Sequence, residues 1–577
     1  MIRRRIVAIA ALALAGAFVL PAAPGSAFNA DTKVTVGSPT SPFSQNKQNE
    51  PAVAIDANHP NVVVAGANEE IDMEACNAGD PTTCPFTPGI GSSGVYFSFD
   101  SGTTWTQPTY TGLTARNCNG PEACTPEVGS IGTLPWYYEN GLVSDGDPAV
   151  AFGPKPDANG HFSWSNGSRL YYGNLTANLP TSPAFKGFEA IGISRTDDVQ
   201  AAASGDKNAW KAPVLISKQS STTFSDKDQV WADNVSSSPF FGNVYVCYAA
   251  FRGQEKGNAL PAPLQVAVSH DGGDTWSLHQ VGGAANNGQK NPMDGCTIRT
   301  DSNGNAYVFG VGTLTQGQHA PVEFMVKSTN GGTTWGQPVA VTPLLSRAGE
   351  FDPEQGSFVE DGVEGARNDL SLAPSVDIAN GAPSGTGATN RIVMSFVDGT
   401  TASPHVEFTE STDGGGNWSA LRQIEVAGDN GFYSAPAISP NGTDVYVVYN
   451  AFTTPFRTNT TDVRAMVAEV LHADSGSGAT GAFTELHRAN AGDPRGSSAN
   501  ALTDEFLGDY VYAAATRTYG AVVWNDARNA ADCPAIDAWR MSNATGGSIA
   551  RPAPQSDCPA NFGNSDIYGG SYADPTP

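Results

Sequence analysis

The stretch Ser411-Thr412-Asp413-Gly414-Gly415-Gly416-Asn417-Trp418 is one copy of a pattern that this chain repeats: serine, a spacer, aspartate, glycine and a closing tryptophan. Three further copies, the last with asparagine in place of the aspartate, stand at residues 98–105, 269–276 and 328–335. The pattern predicts a tight hairpin, because the Asx side chain accepts turn N–H groups and glycine takes positive φ values. We expect the tryptophan to be buried between neighbouring structures. We call these four stretches the boxes.

A longer repeat surrounds the boxes. Each unit opens with a short apolar strand that follows a polar residue, and a turn and a second strand come next. The seven openings lie at residues 50–55, 147–152, 228–232, 294–298, 369–372, 434–438 and 509–512. A succession of strand, strand, boxed hairpin and strand is typical of one blade of a β-propeller.

These units predict an all-β fold, a single closed β-propeller of six or seven four-stranded blades, with seven favoured. The propeller is expected to take up residues 28–577 as one domain. The last unit has no box and is one strand short, so residues 32–36 are expected to supply that strand and close the ring. The last thirty or so residues show little strand character, and we expect them to wrap around the outside.

Residues 1–27 have the three parts of a secretory signal peptide. Arg3-Arg4-Arg5 forms the basic start, residues 6–20 are apolar, and Gly25-Ser26-Ala27 is a small-residue exit. No later apolar run reaches the length of a membrane span. The sequence therefore predicts a secreted, extracellular protein without a membrane span, and we expect a monomer.

The chain is strongly acidic, with a formal net charge of −26 at pH 7. Such a surface argues against nucleic acids and anionic membranes as partners. The eight cysteines suit an oxidising compartment, and their spacing favours the pairs Cys76–Cys84, Cys118–Cys124, Cys533–Cys558 and Cys247–Cys296. Spacing alone does not fix the pairing. Zinc is the rival interpretation, but no Cys-x-x-Cys pair supports it.

Carboxylates precede six of the seven opening strands, at the same position relative to the strand. They are Glu50, Asp147, Asp228, Asp294, Asp369 and Asp509. If these residues begin the innermost strands, they converge on one mouth of the central channel, where like charges raise some pKa values or recruit a cation. The alternative is that each acid only caps the loop that enters its strand.

Arginines are expected on the same face, because loops that follow second strands return to it. Those loops hold Arg252, Arg457 and Arg528, while Arg367 precedes the fifth unit. Arginine binds carboxylate or sulfate in a bidentate manner, although each of these residues could equally be an ordinary solvated loop residue. Tyr510 and Tyr433 stand close to inner-strand starts and are the tyrosines best placed to act as a nucleophile.

The boxes resemble the Asp-box, or bacterial neuraminidase (BNR), repeats of secreted sialidase-like β-propellers, in which they staple blades and lie away from the chemistry. The resemblance implies cleavage of terminal sialic acid with retention, by a tyrosine nucleophile assisted by glutamate, an aspartate acid/base and three arginines on the sugar carboxylate. The Arg-Ile-Pro tripeptide of that family is absent, since the first unit reads Asn49-Glu50-Pro51. No catalytic residue is therefore carried over from the family.

Three functions compete at this stage. The first is an exo-acting glycoside hydrolase on terminal, sialic-acid-like sugars of glycoconjugates, and the second is a non-catalytic propeller that binds glycans or proteins at the cell surface. The third is a polysaccharide lyase on the same scaffold. The hydrolase hypothesis uses Asp147, Asp228 and Tyr510 as catalytic residues. Its substrate-binding residues are Arg252, Arg367, Arg528, Glu50, Asp294, Asp369 and Asp509. It requires no cofactor, but Ca²⁺ becomes the better account if the acids cluster without arginines in reach.

Overall fold

A computed structural model describes residues 31–76, 84–120, 124–252, 263–282, 293–314, 321–345, 350–352, 357–360, 365–400, 403–453, 465–476 and 478–577. The predicted signal peptide lies outside the described residues. No helix in the described ranges is long and apolar enough to cross a membrane.

Seven antiparallel sheets form a ring, and the inner strand of each sheet packs against the inner strand of the next, with the seventh returning to the first. Most sheets have four strands, whereas the first has three and the second gains an extra short strand. The predicted all-β propeller with seven blades is therefore confirmed. Apolar side chains from facing sheets fill the space between successive blades.

In the first four blades the chain proceeds from the strand at the channel to the outermost strand. Blade 1 consists of Gln48–Ile55, Val63–Glu69 and Ser93–Ser98. Blade 2 consists of Ala149–Pro156, Phe162–Asn178, Ala190–Thr196 and Trp210–Leu215, with Leu142–Ser144 beside its second strand. Blade 3 consists of Thr223–Ala232, Val244–Arg252, Leu264–Ser269 and Ser277–Gln280. Blade 4 consists of Asp294–Thr300, Ala306–Thr313, Pro321–Ser328 and Val339–Pro343.

The strands of the remaining blades are also ordered from the channel outward. Blade 5 consists of Ser375–Ile378, Ile392–Thr400, Ser403–Ser411 and Arg422–Gln423. Blade 6 consists of Asn430–Ile438, Asp444–Phe452, Met466–Asp474 and Thr484–Arg488. Blade 7 consists of Tyr512–Ala515, Tyr519–Asp526, Asp566–Ala573 and Thr32–Lys33.

Blade 7 closes the ring with the two ends of the described chain. Thr32 pairs with Gly569 and Lys33 pairs with Tyr568, in antiparallel register. The predicted contribution of the amino-terminal segment is therefore confirmed. The expectation that the last residues only wrap the outside is wrong, because Asp566–Ala573 is the third strand of this blade. Its glycines and serine hide a strand that alternation does not reveal.

Short elements decorate the ring. Two small sheets pair Tyr110–Thr114 with Glu127–Ile131, and Glu350–Asp352 with Ser357–Glu360 and Ala366–Arg367. The α-helices are Val199–Ala203, Pro534–Ala544 and Pro554–Asp557. The 3-10 helices are Phe43–Gln45, Tyr138–Asn140, Lys207–Ala209, Pro494–Gly496 and Asn500–Leu502. The four predicted disulfide pairs are all present.

The four boxes follow the third strands of blades 1, 3, 4 and 5 and share one hydrogen-bond pattern. In the last box, the Ser411 hydroxyl donates to Asp413 Oδ1 at 2.9 Å, and the Asn417 N–H donates to the same oxygen at 2.8 Å. In the third box Asn330 Oδ1 takes this role, accepting from Ser328 and from the N–H of Thr334 at 3.0 and 2.9 Å. The amide oxygen therefore replaces the carboxylate without a change of geometry.

The box tryptophans do not meet the expectation of burial. Their side chains are half-buried in all four copies: Trp105, Trp276, Trp335 and Trp418. Each packs at the edge of an interblade core and keeps one side towards solvent. The hairpin lies at the outer part of its blade. There the next blade covers only one face of the tryptophan ring.

Candidate functional site

The inner strands of blades 1 to 4 bend sharply at one mouth of the channel. Each has a residue there in the left-handed region: Glu50 (φ 55°), Asp147 (φ 49°), Lys227 (φ 57°) and Gly295 (φ 55°). In blades 1, 3 and 4 this residue falls within a shift of strand register. A residue with a Cβ pays roughly 1–2 kcal/mol for this conformation, so the surroundings must hold it in place.

This backbone register corrects the sequence alignment of the acids. Lys227, rather than Asp228, occupies the left-handed position that Glu50 and Asp147 occupy in their blades. Asp228 lies one residue further along, and Asp294 lies one residue before the equivalent Gly295. A shift of one residue turns a side chain in a strand to the other face, so Asp228 and Asp294 do not point where Glu50 and Asp147 point.

Lys227 lies at the centre of a cluster of carboxylates. Its Nζ is 2.5 Å from Asp509 Oδ2, 3.2 Å from Asp147 Oδ2 and 4.0 Å from Glu50 Oε1. All three acids are buried, with exposed fractions of 7% or less, and they come from blades 7, 2 and 1. One ammonium, from blade 3, therefore connects that blade to three others. We call Glu50, Asp147, Lys227 and Asp509 the mouth cluster.

Arg367 adds a second cation to the mouth cluster. Its Nη2 donates to Asp509 Oδ2 at 2.8 Å, and its Nε lies 3.4 Å from Asp369 Oδ2. The guanidinium stacks on the ring of Phe506, 4.3 Å from the ring centroid. Its side chain keeps 29% of its surface exposed, although Nε itself is buried. The Tyr433 hydroxyl completes the group by donating to Asp509 Oδ1 at 3.4 Å.

Two asparagines hold the backbone and side chain of Glu50. Asn68 Nδ2 donates to Glu50 Oε2 at 2.8 Å, while Asn68 Oδ1 accepts from the N–H of Asp147 at 2.8 Å. Asn525 Oδ1 accepts from the N–H of Glu50 at 3.0 Å. The bent inner strands are therefore fixed by side chains from second strands, which supports their left-handed residues.

The acids of the mouth cluster differ sharply in protonation. Burial, and then the charge of Asp147, raises the pKa of Glu50 well above its usual range. Burial also opposes ionisation of Asp147 and Asp509, but Lys227 beside both and Arg367 beside Asp509 outweigh it, and the pKa of each is lowered. The cluster therefore holds a protonated glutamic acid next to two ionised aspartates.

Asp226 is a further acid at this mouth. The residue as a whole is partly exposed, and its buried carboxyl interacts with that of Asp147 and with the charge of Asp294. Burial, only partly offset by Lys227, raises the pKa of Asp226 to about 7. Asp226 therefore exchanges its proton close to neutral pH, unlike the ionised Asp147.

Asp228 lies deeper and apart from the ions. The exposed fraction of Asp228 is 6%, and neither carboxyl oxygen has a hydrogen-bond partner among the described residues. Burial, followed by the charges of Asp147 and Asp226, raises its pKa well above the usual range. Asp228 is therefore a neutral carboxylic acid inside the ring.

Other predicted site residues lie around the mouth cluster or away from it. Arg528 contacts Asp526 and Asp31 at 2.6 and 2.5 Å and stacks on Tyr568, so the structure does not bring it to the cluster. Arg252 ends the second strand of blade 3, but its side chain lies outside the described part, as does all of Arg457.

Tyr510 packs its ring against Tyr512, with centroids 5.6 Å apart. Burial and the charges of Asp147 and Glu50 raise the pKa of Tyr510 well above 10. Burial and the charge of Asp509 do the same for Tyr433. Neither phenol is set up to ionise, which a nucleophilic tyrosine requires.

A cavity of about 50 Å³ lies beneath the cluster and is lined by Lys227, Asp228, Tyr433, Asp509 and Tyr510 among others. This volume holds water rather than a sugar ring. A hydrogen bond from Gln229 to the Tyr512 hydroxyl lies between this cavity and the rest of the channel. A substrate at this mouth must therefore bind above the cluster, where Asp226, Arg367 and Asp369 are partly exposed.

Sequence reasoning missed Lys227 and Asp226. Both stand in the charged run Asp226-Lys227-Asp228, which precedes the third opening strand. The available signal was a lysine between two acids directly before an opening strand. The other openings show that only a few residues separate the bend from the strand. Alignment on acids alone selected the wrong member of this run.

The calcium hypothesis depended on acids that cluster without arginines in reach, and the geometry differs from that condition. Lys227 and Arg367 already neutralise the carboxylates that a calcium ion would need. The donor set at the mouth cluster therefore does not fit a resident calcium ion.

No family model and no curated protein matches the chain. Solved structures with a similar fold include Hadza microbial sialidase Hz136 (13% identity, 70% of this chain and 64% of that chain, TM-score 0.38) and Trypanosoma rangeli sialidase (14%, 78% and 59%, 0.38). The intramolecular trans-sialidase from Ruminococcus gnavus is similar as well (11%, 72% and 93%, 0.39). The chain spans less than two thirds of the first two proteins. Likeness at this level carries no conclusion about activity.

Proposed function

We propose that the channel mouth is the active site of a secreted glycoside hydrolase that acts on terminal, acidic sugars of glycoconjugates. In this proposal Asp226 donates a proton to the leaving oxygen as the glycosidic bond breaks, and the ionised Asp147 stabilises the positive charge that develops on the sugar. Water then adds to the anomeric carbon, and its proton returns to Asp226. Arg367 holds an anionic group of the substrate. The reaction class is hydrolysis with general acid catalysis.

One observation carries the proposal: neighbouring carboxyls at one mouth have pKa values that are displaced in opposite directions. The pKa of Asp226 is raised to about 7, whereas that of Asp147 is lowered. A carboxyl that stays protonated near neutral pH can act as an acid, and an ionised carboxylate beside it can stabilise a cationic transition state. Glycoside hydrolases divide acid and charge-stabilising roles between two carboxyls in this way, and here the two carboxyls also interact directly with each other.

The surroundings of Arg367 support the choice of an acidic sugar. Asp509 and the ring of Phe506 fix its guanidinium from two sides, and its side chain is partly exposed. A fixed guanidinium binds a carboxylate with little loss of side-chain entropy. In a protein with a net charge of −26, this cation would also locally offset the repulsion of an anionic substrate.

The proposed chemistry differs from that of the sialidases that the boxes resemble. The single proton of the Tyr433 hydroxyl is shared between the carbonyl oxygen of Arg367 and Asp509, so it is held rather than removed. Arg367 is the one arginine that contacts the mouth cluster within the described ranges. Carboxyl groups, rather than a tyrosine and an arginine triad, would therefore carry the reaction.

The test is hydrolysis of 4-methylumbelliferyl substrates that carry N-acetylneuraminic acid, glucuronic acid or galactose. We expect release from at least one of the two acidic sugars, and a loss of kcat of about 100-fold to 10,000-fold in Asp226→Asn. Asp413→Asn, which changes a box far from the mouth, is the matched control and should keep full kcat. Equal rates in wild type and Asp226→Asn would contradict the proposal.

A non-catalytic glycan-binding propeller is the second candidate. It is favoured by the small cavity of about 50 Å³ and by the ion pairs that already satisfy Asp147 and Asp509. A wild-type protein that hydrolyses none of the substrates, yet binds acidic glycans on an array and loses this binding in Arg367→Ala, would establish it. A lyase would use the ionised form of Asp226 as its base, since both forms of this carboxyl are present at neutral pH, and an unsaturated sugar product would indicate that reaction.

A further inference from the structure

The largest cavity of the channel lies at the end opposite the mouth cluster. It measures about 280 Å³, and all seven inner strands or the loops that follow them contribute to its lining. The Gln229–Tyr512 hydrogen bond lies between it and the smaller cavity beneath the mouth cluster. The two ends of the channel are therefore separate sites, and we call this one the far pocket.

Small apolar side chains make the space in the far pocket. The alanines that line it are Ala52, Ala54, Ala57, Ala151, Ala382, Ala513, Ala514 and Ala515. Larger apolar groups, among them Phe152, Ile378 and Ile438, complete the wall. An apolar wall around a space of this size favours a ligand with a flat or compact hydrocarbon body.

One buried cation faces the interior of the far pocket. Arg299 is 8% exposed, and its guanidinium lies on the ring of Trp231, 4.6 Å from the centroid. Its Nη1 donates to Gln229 Oε1 at 3.3 Å, and its Nε lies 3.6 Å from Asp377 Oδ1. The Nε has no hydrogen-bond partner in the described part of the chain. The Nε is itself buried and faces Asp377, so a ligand oxygen would have to bind another N–H group of this guanidinium.

A second cation stands at the rim. The Arg517 guanidinium donates to the carbonyl oxygens of Gly381 and Thr386, at 3.3 and 2.8 Å. Among the described residues it forms no ion pair with a carboxylate. The charged lining of the far pocket therefore consists of two arginines and two aspartates (Asp56 and Asp377), and it sums to zero in a strongly acidic protein. An anion meets less repulsion here than elsewhere on the surface.

We propose that the far pocket binds an aromatic carboxylate of one or two rings, separately from the site at the mouth cluster. The ring system packs against the alanine wall, and the carboxylate accepts hydrogen bonds from an arginine, Arg517 at the rim or Arg299 inside. The volume fits this size, because a cavity of about 150 Å³ accepts benzene and the far pocket is nearly twice as large. Guanidinium recognises a carboxylate through paired N–H donors.

The test uses 2-naphthoate as the probe, titrated calorimetrically into the whole protein. We expect one molecule bound per chain. Ala515→Leu places a larger side chain in the lining and should abolish this binding, while Arg517→Ala should weaken it about tenfold. Arg551→Ala is the matched control, because that arginine also donates to a backbone carbonyl, of Ala501, outside the far pocket, and affinity should not change.

Three results would overturn the proposal. They are no heat of binding with wild type, binding that survives Ala515→Leu, and equal affinity for methyl 2-naphthoate, which lacks the carboxylate. Thermal unfolding of each variant, compared with wild type, separates a lost pocket from a lost fold. Asp226→Asn should bind 2-naphthoate as wild type does, so this result is independent of hydrolysis at the mouth.

Discussion

The boxes and the channel mouth are both repeated structures, but they use repetition in opposite ways. Each box keeps the same hydrogen bonds and nearly the same residues, and Asn330 even reproduces the contacts of Asp413. At the mouth the left-handed bend repeats from blade to blade, while its residue changes from Glu50 to Asp147 to Lys227. The boxes therefore repeat one set of side-chain contacts, whereas the mouth repeats a backbone conformation and varies the charge that it carries.

Among the predicted substitutions, Lys227→Met should lower the free energy of unfolding the most. The change leaves Asp147, Asp509 and the protonated Glu50 buried without their central cation, and removal of one partner from a buried ion pair costs about 3–5 kcal/mol. The free energy of unfolding in urea should fall by that amount at pH 7. Lys186→Met, at an exposed position, is the control. Equal stability of the two variants would show that the mouth cluster does not hold the blades together.

Trp418→Ala should have a smaller effect, because this side chain is only half-buried. Its ring meets Phe309 edge-on, with centroids 6.0 Å apart, at the margin of the core between blades 4 and 5. Full truncation of a buried tryptophan costs about 3–5 kcal/mol, so roughly 2 kcal/mol is expected here. Leu345→Ala, at a side chain that is 80% exposed, serves as the control. A loss as large as that of Lys227→Met would contradict the ranking.

The fold was predictable because its signals are local and repeated. The boxes, the inner-strand openings and the missing strand of the last unit together predicted six or seven blades, with seven favoured, and closure by residues 32–36. The third strand of blade 7 escaped prediction because Gly569, Gly570 and Ser571 interrupt its apolar pattern. Its place is decided by pairing with residues more than 500 positions away in sequence, in Thr32–Lys33.

The site was predictable in outline but not in register. Glu50, Asp147, Asp509 and Arg367 meet as proposed, whereas Asp228 turns inward and Arg528 pairs elsewhere. The cause is the bend before each inner strand, which shifts the register by one residue and is not visible in residue types. Lys227 could be identified only once its φ value placed it beside Glu50 and Asp147.

The pH dependence of stability gives a further test of the channel mouth. Since the pKa of Asp226 is raised to about 7 in the folded state, its contribution to stability is complete below about pH 4 and is lost as pH rises through 7. Asp226→Asn should therefore be more stable than wild type at pH 8 by roughly 1–2 kcal/mol, with a smaller difference at pH 4. Urea unfolding at the two pH values measures it, and a difference that does not change with pH would contradict the assignment.

Asn330→Asp should have the smallest effect. The carboxylate would accept from Ser328 and Thr334 as Asp413 accepts from its own box, and the Thr334 hydroxyl can rotate to donate. The change in the free energy of unfolding should stay within about 0.5 kcal/mol. A loss beyond 1 kcal/mol would show that the boxes are not interchangeable staples.

The central claim is that Asp226 is the acid of a hydrolytic site at the mouth, and the pH profile of kcat/KM tests it most directly. With the fluorogenic sugar that wild type cleaves best, the rate should fall above an apparent pKa near 7, because the proton on Asp226 is lost there. The residual rate of Asp226→Asn should lack this limb. A folded wild-type protein that is inactive at every pH, or a variant that keeps the wild-type profile, would contradict the claim.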